Sequence, residues 1–244
     1  MTQIKDPKQL FLDIKLDEHI SLDNFIDCHS TNTLLRILRA VSTQGTVSNF
    51  HFLWGNKGSG KSYLMHALNK ECLSNNLSTA FVSFSDERIN SPEILDGLSE
   101  MKVLFLENIQ DMKQTAEWER AVFNLINECI ANQNQIVISS EKLAKNLNIE
   151  LKDLESRILA FTGVEVPEIF EEEKIEALIQ SAKRKGIALE DKTIKYILTY
   201  TSRNLSDLLR LLSELDEFSL EKKKKLSPSL VRQLLSQKSS NSHT

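Results

Sequence analysis

An α/β fold is predicted for residues 21–166, a parallel sheet with helices on both faces, followed by a small all-α domain over 167–236. Three observations carry this. Between Phe50 and Ser140, four short apolar runs alternate with stretches of helical periodicity, and unbroken apolar strands separated by helices mark a parallel sheet covered on both sides. The first of these runs leads into Gly55-Asn56-Lys57-Gly58-Ser59-Gly60-Lys61-Ser62, a complete GxxxxGK[ST] set between strand and helix. Beyond Pro167 the strand signals stop and only helical periodicity is left.

Taken in order, residues 1–20 carry little periodicity and read as a flexible leader. From Asp27 the pattern turns helical, with Leu34, Leu35, Leu38 and Val41 on one face and Gly45 as the stop. FHFLW (50–54) is the first strand, and a helix follows from Lys61 to Ser74. TAFVSF (79–84) precedes a helix near Pro92 to Ser99, and VLFLE (103–107) precedes one from Glu117 to Asn132. QIVISS (135–140) is the fourth strand. In the all-α part, Ile175, Leu178, Ile179 and Ala182 share a face and Gly186 ends that helix. Leu205, Leu208, Leu209, Leu212 and Leu215 make a second helix, and SPSLVRQLL opens a last one with Pro228 at a helix-start position. Residues 237–244 are polar and read as a disordered tail. There are no internal repeats.

Composition bounds the function classes. The chain has 244 residues, 41% hydrophobic and 26% charged, with a net charge of −4. It is long enough for a real core and shows no chain-wide basic footprint for nucleic acid. No apolar stretch reaches the roughly 18 residues of a membrane span, and MTQIKDPKQL lacks a signal peptide's apolar segment, so a cytoplasmic protein without a membrane partner is expected. Cys28, Cys72 and Cys129 are odd in number and scattered, which argues against disulfides and zinc.

The glycine-rich loop predicts a grip on nucleotide phosphates. Gly55, Gly58, Ser59 and Gly60 let backbone N–H groups turn inward on the phosphates, and the helix N-terminus adds its partial positive charge. Lys61 is expected to reach the outer phosphates, and the Ser62 hydroxyl to bind Mg²⁺. The strand LFLEN (104–108) then reads as the metal-facing strand, although a core strand ending in a polar loop describes many strands. Nucleotide hydrolases carry two acids there, one toward Mg²⁺ and one toward the attacking water. Here the first is Glu107 and the second is an amide, Asn108, which cannot act as a general base. Ser139 and Ser140, at the end of the next strand, are candidates for sensing the terminal phosphate. His51 and His66 flank the loop without metal-ligand spacing and read as structural. The run Lys222 to Lys225 reads as a solvated helix end, with a DNA-backbone contact left open.

Together these residues resemble the AAA+ ATPases of the DnaA/Hda family, from about Leu22 to Leu235. LDNFIDCHSTN (22–32) looks like the segment entering the ATPase core beside the adenine, LENIQ (106–110) like the acid strand, QIVISS like sensor 1, and LESR (154–157) like the arginine-finger motif. PEILDG (92–97) and the context of Trp118-Glu119 look closer to the Hda branch, as does a chain that stops after the lid with no helix-turn-helix domain. The resemblance implies an AAA+ P-loop core over 21–166 and a helical lid over 167–236. It also implies ADP or ATP with Mg²⁺ as cofactors, and Arg157 as a finger acting in trans on the ATP of the initiator DnaA. The implied function is regulatory inactivation of DnaA, which prevents re-initiation of DNA replication. Two departures stand out: the Glu107-Asn108 pair, and Ser206 where the family places its sensor 2 arginine. Arg203 and Arg210 lie about one turn to either side of Ser206, and either could reach over in its place; Arg203 is named as the candidate nucleotide contact. Both departures favour tight ADP binding and weak intrinsic ATPase.

The leader Gln9-Leu10-Phe11-Leu12-Asp13-Ile14 resembles the short peptide that docks on the DNA-polymerase sliding clamp, with Gln9, Leu10, Leu12 and Ile14 as its contacts. The implied partners are DnaA, the sliding clamp and, through the clamp, DNA; a homo-oligomer is compatible with the family. Location at the nucleoid would follow from the replication machinery. Three rivals are weighed against this. A DnaA-like initiator needs a recognition helix after the lid. A clamp-loader-type ATPase shows Ser-Arg-Cys, whereas Ile158 follows Arg157 here. A non-catalytic scaffold would be indifferent to loss of Arg157.

Overall fold

A computed structural model describes residues 20–25, 31–43, 49–168, 170–201 and 205–241. The described residues of 1–22 and 30–167 form one compact unit, and those of 23–29 and 168–244 form a second. Gln9, Leu10, Leu12, Ile14 and Arg203 lie outside the described residues.

The first unit is built on a five-stranded parallel sheet in the order β2-β3-β4-β1-β5. The strands are β1 (Phe50–Trp54), β2 (Thr79–Ser83), β3 (Val103–Glu107), β4 (Gln135–Ser140) and β5 (Thr162–Glu165). Every residue of β3 and β4 is buried, as central strands covered on both faces must be. Alternate side chains serve opposite layers. Leu104, Leu106, Ile136 and Ile138 pack with Trp118, Val122, Leu125 and Ile126 of α3 (Ala116–Ala131) and with Leu154 and Ile158 of α4 (Lys152–Leu159). On the other face, Phe105 meets Phe81, which stacks on His66 of α2 (Lys61–Ser74) with ring centroids 4.5 Å apart. The helix α1 (Asn32–Ser42) buries the expected Leu34, Leu35, Leu38 and Val41.

One local expectation is corrected, and one strand is added to those expected. The helix read over 92–99 is instead two 3-10 turns, Pro92–Leu95 and Leu98–Glu100. Asp96 is extended and Gly97 sits at φ +76 between them, a left-handed step that a continuous helix cannot contain. The strand β5 carries no strand signal in sequence because Thr162, Gly163 and Glu165 are all exposed around the single buried Val164, so the apolar run that betrays a covered strand is missing at this edge.

The second unit is helical: α5 (Glu171–Arg184), α6 (Asp191–Tyr200), α7 (Leu205–Lys222) and α8 (Pro228–Asn241). Leu178, Ile197, Leu208, Leu212, Leu215 and Val231 share its core. The stop at Gly186 is a Schellman motif: with φ +71, Gly186 donates to Lys183 O (3.0 Å) and Ile187 to Ala182 O (2.8 Å). Pro228 opens α8 as its position predicts. That helix runs on to Asn241, so residues 237–241 of the expected disordered tail are helical, continuing a helix already nucleated by the packing of Leu230 and Val231.

Candidate functional site

Because all five strands are parallel, the C-terminal ends of β1, β3 and β4 share one edge of the sheet. That edge brings together the loop 55–62, the Glu107-Asn108 pair and Ser139-Ser140. Backbone bonds stitch them: Gly55 N–H donates to Ser140 O at 3.3 Å, and Asn108 N–H donates to Ser139 Oγ at 3.2 Å. A ligand crevice at the carboxyl ends of parallel strands is what this architecture provides.

Gly58 and Gly60 take φ +84 and +95, left-handed values that any side chain would strain. Gly55 is needed for a different reason. A Cβ there would collide with the carbonyl of Val166 and come within 2.9 Å of Ser59 Oγ, so the loop and the chain leaving β5 can cross only at a glycine. Lys61 is 6% exposed, and its ammonium donates to the loop's own carbonyls, Gly55 O at 2.7 Å and Asn56 O at 2.9 Å. Burial lowers its pKa below the ordinary lysine value, while Glu141 and Glu107 pull it back up. Ser62 is exposed on the first turn of α2.

Glu107 is buried, and its Oε1 has no hydrogen-bond partner; the same holds for Ser59 Oγ. An orphaned carboxylate oxygen this deep is costly by itself, and it fits a site whose cation arrives with a ligand. Among the described residues no cluster of three or more His, Cys, Asp or Glu could hold a metal alone. The donor set therefore suits a phosphate-borne Mg²⁺ held by Ser62 and Glu107, which would neutralise phosphate charge. Burial also lowers the pKa of His66, against the opposing pull of Glu107, in keeping with a neutral, structural ring stacked on Phe81.

The sequence reading treats Asn108 as a lost acid; the structure shows what the amide does. Asn108 sits at φ +56, a left-handed position that Asn tolerates better than most residues. Its Nδ2 donates to Ser85 Oγ at 2.6 Å, tying the loop after β2 to the end of β3. Ser85 and Glu141 are neighbours of the site that no motif flagged. Ser139 is fully buried, and its hydroxyl accepts the backbone N–H of Asn108. Arg210 is exposed on α7 and pairs with Asp207 at 3.0 Å. Arg157 is exposed in the last turn of α4, between the buried Leu154 and Ile158.

Comparison with known proteins matches two family models, the bacterial DnaA ATPase domain over residues 16–165 and the Hda lid domain over 171–235. An uncharacterized protein of Haemophilus influenzae is 30% identical over 229 residues, 93% of this chain and 98% of its own length. Among solved structures, domain III of Thermotoga maritima DnaA superposes with a TM-score of 0.68 at 17% identity, covering 91% of this chain and 97% of that one. AMPPCP-bound DnaA from Aquifex aeolicus gives 0.66 at 20% identity, covering 82% of this chain and 65% of that longer one. The Thermotoga maritima Holliday junction branch migration motor RuvB gives 0.59 at 19% identity, over 88% of this chain and 70% of that one. At such identities these structures speak for the fold alone. No helix among the described residues is long and apolar enough to cross a membrane.

Proposed function

Because the chain belongs to the DnaA/Hda family of AAA+ ATPases, we propose that it is a clamp-bound, ADP-binding regulator that switches off DnaA. It would do so by supplying Arg157 to the ATP held by the initiator. The observation that carries this reading is a pairing: a core matching the DnaA ATPase domain is joined to a lid matching that of Hda. The exposed position of Arg157 on α4 supports it, since a finger must reach a neighbour's phosphates. Asn108, held by Ser85, supports it from the other side: a chain that acts on another protein's ATP has no need of a base at its own.

The test is hydrolysis of DnaA-bound ATP by purified initiator, with the sliding clamp loaded on DNA. ADP should form faster only when clamp and this protein are both present. If the rate is the same without this protein, the reading fails. Deleting residues 1–16, or replacing Gln9, Leu10 and Leu12 with Ala, should abolish clamp binding in a pull-down and leave ADP binding unchanged. Clamp binding that survives the deletion would put the docking site elsewhere.

The chain's own ATP turnover should be very slow, and Asn108→Asp should raise it several-fold. Aspartate tolerates the left-handed backbone and can accept from the Ser85 hydroxyl, so the change adds a carboxylate without undoing the local structure. Turnover that stays flat in a folded variant would show that the second acid is not what limits it.

A further inference from the structure

The eight-residue helix α4 carries Arg157, yet its own cap does little to hold it. Leu151, at the N-cap position, makes no side-chain cap bond. The fastening comes from another helix. Glu119, in the first turn of α3, is 2% exposed. Its Oε1 accepts the N–H of Glu150 at 3.1 Å, and its Oε2 accepts the N–H of Leu151 at 2.7 Å. A carboxylate this deep is costly unless donors meet it. Here two backbone amides do, aided by the positive end of α4.

We propose that Glu119 is a positioning residue for Arg157. It clamps the chain at the entry to α4, and the helix transmits that fixed origin to the guanidinium. From Leu151 to Arg157 is six residues, about 9 Å along the axis. Beyond the entry, Leu154 and Ile158 pack the short rod against the core, and its far end leads through the buried Phe161 into β5. Loosening its start would therefore let the rod turn about these contacts and carry the guanidinium with it. The inference rests on the finger reading of Arg157. Misplacement of a reacting group by roughly 1 Å can cost on the order of a hundredfold in rate.

The test uses the full-length chain in the clamp-dependent assay of DnaA-bound ATP. Glu119→Gln keeps size and shape but turns an amide NH₂ toward one of the two N–H groups, donor against donor. Glu119→Asp keeps the charge and is one methylene too short to meet both, and it serves if the Gln variant fails to fold. ADP-dependent thermal stabilisation is the check on folding. The expected result is a maximal turnover at least about tenfold lower, with the half-saturating concentration unchanged. Hydrogen exchange should be faster at the amides of 150–159 and unaltered in the phosphate loop. Faster exchange with unchanged turnover would make Glu119 a purely structural anchor and overturn the proposal, and unaltered exchange would show that it fastens nothing. A raised half-saturating concentration with full turnover would make the effect one of docking, and would also overturn it. If Arg157→Ala loses turnover and both Glu119 variants keep it, only this inference falls. If Arg157→Ala keeps turnover, the finger reading falls and takes this one with it.

Discussion

Arg157→Ala should reduce the stimulated hydrolysis of DnaA-bound ATP by about 10³- to 10⁵-fold, the contribution of an arginine finger in trans. The size follows from where the charge acts. In phosphoryl transfer, catalysis is mostly positioning and electrostatic stabilisation, so a guanidinium placed on the transferring phosphate works where negative charge is concentrated and water is excluded. The residue is exposed and terminal on its helix, and the neighbours Leu154 and Ile158 carry the packing. Truncation should therefore leave the melting temperature within a degree or two, with ADP and clamp binding intact. Arg157→Lys should recover little, because an ammonium offers no planar, two-pronged contact. The measurement is single-turnover ADP formation on the initiator, with wild type, Ala and Lys compared at saturation. Wild-type rates from the Ala variant would make this chain a scaffold.

Much of this was legible in the sequence, for a physical reason that also marks its limit. The boundaries of β1, β3 and β4 and of α2 could be read because β3 and β4 are buried throughout, β1 at its centre and α2 along one face, and burial writes itself as an apolar run or stripe. The edge strand β5, with three of its four residues exposed, leaves no such trace. The phosphate loop was legible because its glycines are demanded by backbone geometry at Gly58 and Gly60 and by the crossing at Val166 for Gly55. What could not be read was anything that depends on residues distant in the chain meeting in space. Ser85 under Asn108, Glu141 beside Lys61, and Glu119 on the amides before α4 are all of this kind. Polar side chains at such positions look like ordinary surface residues in sequence. The one local clue was Asn108 itself, since an asparagine just after a buried strand is a candidate for the left-handed turn it makes.

Lys61→Ala should abolish retention of ADP and, with it, the ligand's contribution to stability. A ligand that binds only the folded state stabilises it by about 2.7 kcal/mol at a hundred times its dissociation constant. For a chain of this size that is roughly 5–10 °C in melting temperature. Wild type should show such a shift on adding saturating ADP, and the Ala variant none. The comparison must be made within each protein, because the substitution also changes the ligand-free state. It removes an ammonium bonded to Gly55 O and Asn56 O, and relieves the burial that lowers its pKa. A lysine whose folded pKa lies below its unfolded value opposes folding while charged, and the opposition fades as pH rises through the lowered pKa. Phosphate oxygens favour the charged form and restore the pKa, so ADP binding takes up part of a proton in that range. The ADP-dependent shift in wild type should therefore shrink as the buffer is made more alkaline, and the Ala variant should show no such trend. An equal ADP shift in both proteins would mean that Lys61 does not hold the phosphates, and that the loop grips them by its backbone alone.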